Sequence, residues 1–90
     1  FTSDEFELAQ NQPNPFQGQT TINIQLPHAQ YGTLKVHDLT GRILQIVDRQ
    51  FEQGQNQIII DSNTLPSGVL YYTLETADFK ATRKMVVLEK

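Results

Sequence analysis

Apolar residues in this chain alternate with polar ones or come in short runs, and turn-forming residues separate the runs. That is the period of a half-buried strand, and no stretch carries the 3.6-residue period of an amphipathic helix. Glu5–Ala9 reads as a short first strand. Thr20–Leu26 sets Ile22, Ile24 and Leu26 on one face against Asn23 and Gln25 on the other. Thr33–Leu39 opposes Leu34 and Val36 to Lys35 and His37. Asp38-Leu39-Thr40-Gly41 then reads as a type I turn, with Asp first and Gly fourth, and Arg42–Phe51 is the returning strand. Glu52-Gln53-Gly54 turns the chain again. Ile58-Ile59-Ile60, within Gln57–Asp61, is a run consistent with a strand covered on both faces. Leu65-Pro66-Ser67-Gly68 is a further turn. Val69–Glu75 and Lys80–Leu88 close the chain as a pair joined at Thr76-Ala77-Asp78. About seven strands spaced roughly 8–12 residues apart predict an all-β fold, an immunoglobulin-like sandwich of antiparallel strands. The expected core is Ile22, Ile24, Leu34, Val36, Leu44, Ile46, Ile58, Ile60, Tyr72, Leu74, Met85 and Val87.

The two ends carry the most distinctive residues. In Gln10–Phe16, QNQPNPF, Pro13 and Pro15 fix their own φ and push Gln12 and Asn14 out of the helical region. Phe16 is the first apolar anchor after this stiff lead-in. At the other end Lys90 follows an apolar strand directly, which invites the idea of a terminus read by a partner, although a solvated, frayed end is the favoured reading of the residues alone.

Composition narrows the function classes. The 90 residues make one domain, and 38% hydrophobic content suits a thin core rather than a deep pocket. A net charge of −3, from 7 basic and 10 acidic residues, argues against a nucleic-acid backbone binder. Without cysteine there is neither a disulfide scaffold nor a thiolate zinc site. No apolar run reaches the roughly 20 residues of a membrane helix. The chain begins at Phe1 and its one methionine is Met85. It therefore reads as a piece of a longer precursor, with 1–6 the end of a linker and 7–90 the domain.

Candidate chemistry is sparse. His28 and His37 do not stand at metal-ligand spacing and read as structural. Ser3, Ser62 and Ser67 lie in no nucleophile elbow. Asp61-Ser62-Asn63 could begin a calcium loop, but it lacks the later Gly and the bidentate Glu, so local backbone hydrogen bonds are the favoured role. The glycines are isolated and form no phosphate cradle. Tyr71 and Tyr72 are neighbours on a strand, so they face opposite sides and build no stacking platform. Arg83 and Lys84 split across their strand in the same way. Nothing here makes an enzyme, and no cofactor is expected.

Five segments, LAQNQPNPF, TTINIQLP, LKVHDLTGRIL, LPSGVLYYTLE and ATRKMVVLEK, resemble in order and spacing the type A C-terminal sorting domain of the type IX (Por) secretion system, from Leu8 to Lys90. One position departs: the family's usual aromatic after Ser67-Gly68-Val69 is Leu70 here. The resemblance implies an address module on proteins exported by Bacteroidota-type bacteria. It implies partners in the type IX translocon, the outer-membrane shuttle and the sortase, with the cargo domain in the same precursor and no nucleic acid. Transit through the periplasm to the cell surface or beyond is implied too, with removal by a cell-surface sortase. Recognition would fall on Gly68 and on Lys84, Met85, Val86, Val87, Leu88, Glu89 and Lys90, with the Gly41 turn needed for folding. An exposed strand edge would also permit a dimer. The competing reading, from another class, is an accessory carbohydrate-binding or spacer module of an extracellular enzyme.

Overall fold

A computed structural model describes residues 6–89. Its strands are β1 (Glu7–Leu8), β2 (Gln19–Leu26), β3 (Gln30–His37), β4 (Ile43–Phe51), β5 (Gly54–Asp61), β6 (Gly68–Thr76) and β7 (Lys80–Val87), with one 3-10 turn at Ser62–Thr64. All pairings between these strands are antiparallel. A three-stranded sheet, β1-β2-β5, packs on a four-stranded sheet, β4-β3-β6-β7. Among the described residues β3–β4 and β6–β7 are joined by short turns and β1–β2 by a longer connection within one sheet, while the connections after β2, β4 and β5 cross between the sheets. The expected all-β sandwich stands, and the part of the first strand at Glu5 lies outside the described residues.

Alternation builds the core. Ile22, Ile24 and Leu26 from β2 meet Leu34 and Val36 from β3, Ile58 and Ile60 from β5, Tyr72 and Leu74 from β6, and Met85 and Val87 from β7, all buried. Leu8, Phe16, Phe51, Leu65 and Leu70 complete it. Leu70, the departure from the family pattern, is an ordinary core residue.

Two expectations about the core fail, each for a local reason. Ile46 is 52% exposed and Leu44 only partly buried. The β3–β4 register shifts between Val36 and His37: Val36 pairs Gln45, His37 pairs Ile43, and Leu44 is left between them. A one-residue bulge reverses the facing of everything beyond it. Val47 therefore opposes Leu34 on the core side, while Ile46 opposes Lys35 on the solvent side. Ile59 is 61% exposed, because none of the described residues covers it on the outer face of the small sheet.

Gly32 is required by packing. A Cβ built on it would sit 2.9 Å from the ring of Phe51 and 3.1 Å from the Thr76 methyl. The Phe51 ring occupies the space that a side chain at 32 would need.

Candidate functional site: the strapped closing strand

The segment between β1 and β2 is not a loose lead-in. It runs along the outer edge of β7 and closes it. Gln10 Nε2 donates to the Lys84 carbonyl at 2.6 Å, and the Val86 N–H donates to Asn14 Oδ1 at 2.9 Å. The Phe16 N–H donates to the Val86 carbonyl at 3.0 Å, and the Leu88 N–H donates to the Phe16 carbonyl at 2.8 Å. Gln17 Nε2 then donates to the Glu89 carbonyl at 3.0 Å. Phe16 pairs with Val87 in parallel and is 1% exposed. A short backbone bridge, a succession of side-chain carboxamides and a buried ring thus take the place of a neighbouring strand.

The same strap is fixed from below. The Tyr72 hydroxyl accepts from the Asn11 N–H at 2.9 Å and donates to the Ala9 carbonyl at 2.7 Å. Burial raises the pKa of this phenol. Asn11 is itself buried and spends its amide nitrogen on Thr20 Oγ1 and the Pro13 carbonyl. On β7, Arg83 Nε donates to the Leu8 carbonyl at 2.6 Å.

The residues singled out for recognition therefore differ in what they can offer. Met85 and Val87 are core. Lys84 and Glu89 are exposed, Val86 is half-buried, and Leu88 is 45% exposed. Lys90 lies outside the described residues. Gly68 opens β6 opposite Val87, with φ +115 and open space where a Cβ would go. That left-handed backbone selects glycine whatever its neighbours.

The motif-bearing turns gather at one pole. The strand ends there are Gln19, His37, Ile43, Asp61, Gly68 and Val87, as the registers require. The Asp38–Gly41 turn has the expected bond from the Gly41 N–H to the Asp38 carbonyl, 3.1 Å, with Gly41 at φ +90. Asp38 Oδ1 accepts from the Thr40 hydroxyl at 2.7 Å and from the Thr40 and Arg42 amides. The Thr40 hydroxyl foremost, then those amides and the Arg42 guanidinium, lower its pKa below the ordinary value. Leu39 stands at the tip of this turn, 75% exposed. At the opposite pole Phe6 stacks on Phe79, with ring centroids 4.7 Å apart, and His28 meets Asp78 at 3.1 Å.

The remaining candidates take local roles. Asp61 Oδ1 accepts from the Asn63 N–H at 2.8 Å, and Ser62 Oγ accepts from the Gly18 N–H at 3.0 Å. No group of three or more His, Asp or Glu side chains converges among the described residues. His37 stacks on Tyr71 and shares a hydrogen bond with the Thr73 hydroxyl at 3.0 Å. Tyr72 faces the core and Tyr71 the solvent side, as the alternation requires.

The family model described as "Secretion system C-terminal sorting domain" matches residues 12–88. This chain belongs to that family, the type IX secretion sorting domains. Among solved structures, that of dimeric latent PorU from Porphyromonas gingivalis is similar, with a TM-score of 0.68 at 17% identity. The match covers 92% of this chain and 9% of that one, and it carries the immunoglobulin-like sandwich. Among curated proteins, none matches. Membership ties the sorting domain to the type IX machinery and to a cargo protein, and to export toward the cell surface or secretion. The contact between residues 10–17 and β7 goes beyond what sequence reasoning finds. A signal is present in QNQPNPF, whose carboxamides can replace a missing strand, but its partner lies some seventy residues away (74 for Gln10 and Lys84).

Proposed function

We propose that this sorting domain is the address and not the catalyst. It routes an attached cargo through the outer membrane, its motif-bearing pole is the part read by the translocon and shuttle, and a cell-surface sortase then removes it within the preceding linker. The observation that carries this reading is the division of labour between the poles. Gly68, Leu88 and Glu89 stand at one end of a molecule 39 Å long, and Phe6, the last residue of the expected linker, stands at the other. A cargo joined before Phe6 leaves the motif-bearing pole uncovered. A folded sandwich sets the geometry of these residues before binding, which lowers the ordering entropy lost on binding.

The test is a secreted reporter fused ahead of Phe1. Deleting Glu89 and Lys90 removes, among the described contacts, only the Gln17–Glu89 hydrogen bond, so the domain stays folded. Surface delivery is expected to fall by at least about tenfold while the melting profile stays close to that of the parent. Normal delivery of a folded truncated fusion would sink the reading.

A further inference from the structure

At the linker pole the chain enters the small sheet beside the turn that joins β6 to β7. From Glu7 onward it is held on two sides. Glu7 pairs with Gln25 and Leu8 with Ile24, and the Ala9 N–H donates to the Asn23 carbonyl at 3.0 Å. From the large sheet Arg83 Nε donates to the Leu8 carbonyl and the Tyr72 hydroxyl to the Ala9 carbonyl. Phe6 is held by its side chain. Its ring lies flat on that of Phe79, with centroids 4.7 Å apart and planes within 3°, and both half-buried rings pack against the core. The turn that carries Phe79 is braced. Thr76 Oγ1 accepts from the Phe79 N–H at 2.9 Å, and the Thr76 N–H donates to the Phe79 carbonyl at 2.8 Å. His28, from the β2–β3 connection, meets the neighbouring Asp78 at 3.1 Å.

We propose that the Phe6–Phe79 stack is the stop for proteolytic removal: it closes the Phe6–Glu7 bond to a protease, so that the cut falls before Phe6. This rests on the reading that a sortase removes the domain within the preceding linker. A protease takes its substrate extended, with backbone free on both sides of the scissile bond. A bond inside a paired segment is therefore cut only in molecules that have opened locally. The Glu7–Leu8 bond lies inside β1 and is closed by pairing. Phe6–Glu7 lies at the end of a strand only 2 residues long, where opening begins. The stacked rings add their own cost to that opening, because Phe6 must leave Phe79 before its backbone is free. Phe79 is thus a positioning residue for the cut although it lies in a different sheet from β1. The stop also decides what the cargo keeps, since its new C-terminus then comes from upstream of Phe6. It spares β1 as well, whose Leu8 is 3% exposed and whose Leu8 carbonyl holds Arg83 of β7.

The test is timed digestion of the whole chain, fused behind a reporter, with chymotrypsin, whose apolar slot accepts Phe. Phe1–Thr2 and Phe6–Glu7 offer it the same residue on the two sides of the stop. Fragment masses give the two rates. In the parent the cut after Phe1 is expected to be at least about tenfold faster than the cut after Phe6. Phe79→Ala should speed the cut after Phe6 by about fivefold and leave the cut after Phe1 unchanged. Phe79→Tyr keeps a ring to stack and should restore the parent ratio. Ile60→Val, a core loss toward the other pole, should leave the ratio alone, which separates the stop from general stability. Circular dichroism confirms that each variant is folded. Equal cutting after Phe1 and Phe6 in the parent overturns the proposal. So does a Phe79→Ala chain whose ratio matches the parent's, or an Ile60→Val chain that shifts it as far as Phe79→Ala does. The sortase reading fails separately: a fusion delivered to the surface that keeps its domain there refutes removal within the linker, whatever chymotrypsin finds.

Discussion

Replacing Phe16 with alanine tests whether the strap is held by its anchor or by its string of hydrogen bonds. The ring is 1% exposed and sits among the core residues although it belongs to no strand. Truncating a buried Phe costs about 3–5 kcal/mol, against a total of about 5–15 kcal/mol for a domain of ordinary stability. The backbone bonds from Phe16 to Val86 and Leu88 contribute about 1 kcal/mol each, and less where water can replace them. The ring therefore holds the strap more strongly than those bonds do, and without it they lose the geometry that aligns them. At about 4–8 °C per kcal/mol for a domain of this size, Phe16→Ala should lower the melting temperature by roughly 12–40 °C. Phe79→Ala is the control: that ring is half-buried and stacked on Phe6 at the far pole, and its loss should cost about 1–2 kcal/mol. Urea unfolding followed by circular dichroism gives both values. Native-state amide exchange adds the local readout, since the Val86 and Leu88 amides should lose protection in Phe16→Ala before the core does. The reasoning is refuted if Phe16→Ala costs no more than Phe79→Ala, or if those two amides stay as protected as the centre of β6.

Three further perturbations follow from individual contacts. Gly32→Ala forces its methyl against the Phe51 ring and should cost about 1–3 kcal/mol in urea unfolding, with partial recovery in a Gly32→Ala/Phe51→Leu double variant. Tyr72→Phe removes the hydroxyl that satisfies both the Asn11 N–H and the Ala9 carbonyl and should cost about 1–3 kcal/mol. Because burial raises the Tyr72 pKa, the folded state keeps this proton where the unfolded chain releases it. The parent should therefore lose stability as pH rises above 10.0, and Tyr72→Phe should lose less of it over that range in alkaline melts. The Asp38 pKa is lowered, so its contribution is present above the ordinary value of 3.8 and disappears as pH falls through the folded-state value. Acid melts of Asp38→Asn should lack that component.

The strands are legible because period two is a property of local sequence, and it holds wherever pairing stays regular. Ile22 and Ile24, Leu34 and Val36, and Met85 and Val87 all fall on the face that alternation assigns. It fails at Ile46 because the Leu44 bulge is decided by the packing of two strands at a turn, and no residue in the string ILQIVD announces it. It fails at Ile59 because a run of three isoleucines is equally consistent with one covered face or two, and the number of layers is a tertiary fact. Phe51 is readable as a strand end, but its burial depends on Gly32, nineteen residues earlier, leaving room for its ring. Among the recognition candidates, alternation separates buried Met85 and Val87 from outward Lys84, Val86 and Leu88, but it cannot supply the segment that covers the strand's outer edge, because that partner is remote in sequence.

The strap changes what the closing strand can present. A bare outer β7 would offer a partner its backbone, and recognition could then proceed by strand addition with little regard for side chains. Here the edge carbonyls of Lys84 and Val86 and the amides of Val86 and Leu88 already have partners within the chain. A receptor that meets the folded domain at this strand finds Lys84, Val86, Leu88 and Glu89 as side chains in fixed positions. To reach the backbone it would have to displace a segment anchored by a buried phenylalanine, a cost of several kcal/mol before any contact is gained. The first motif of the chain and its last are thus one element in space. A change in QNQPNPF is a change in how the final strand is displayed, so effects on export from either end converge on the same physical object.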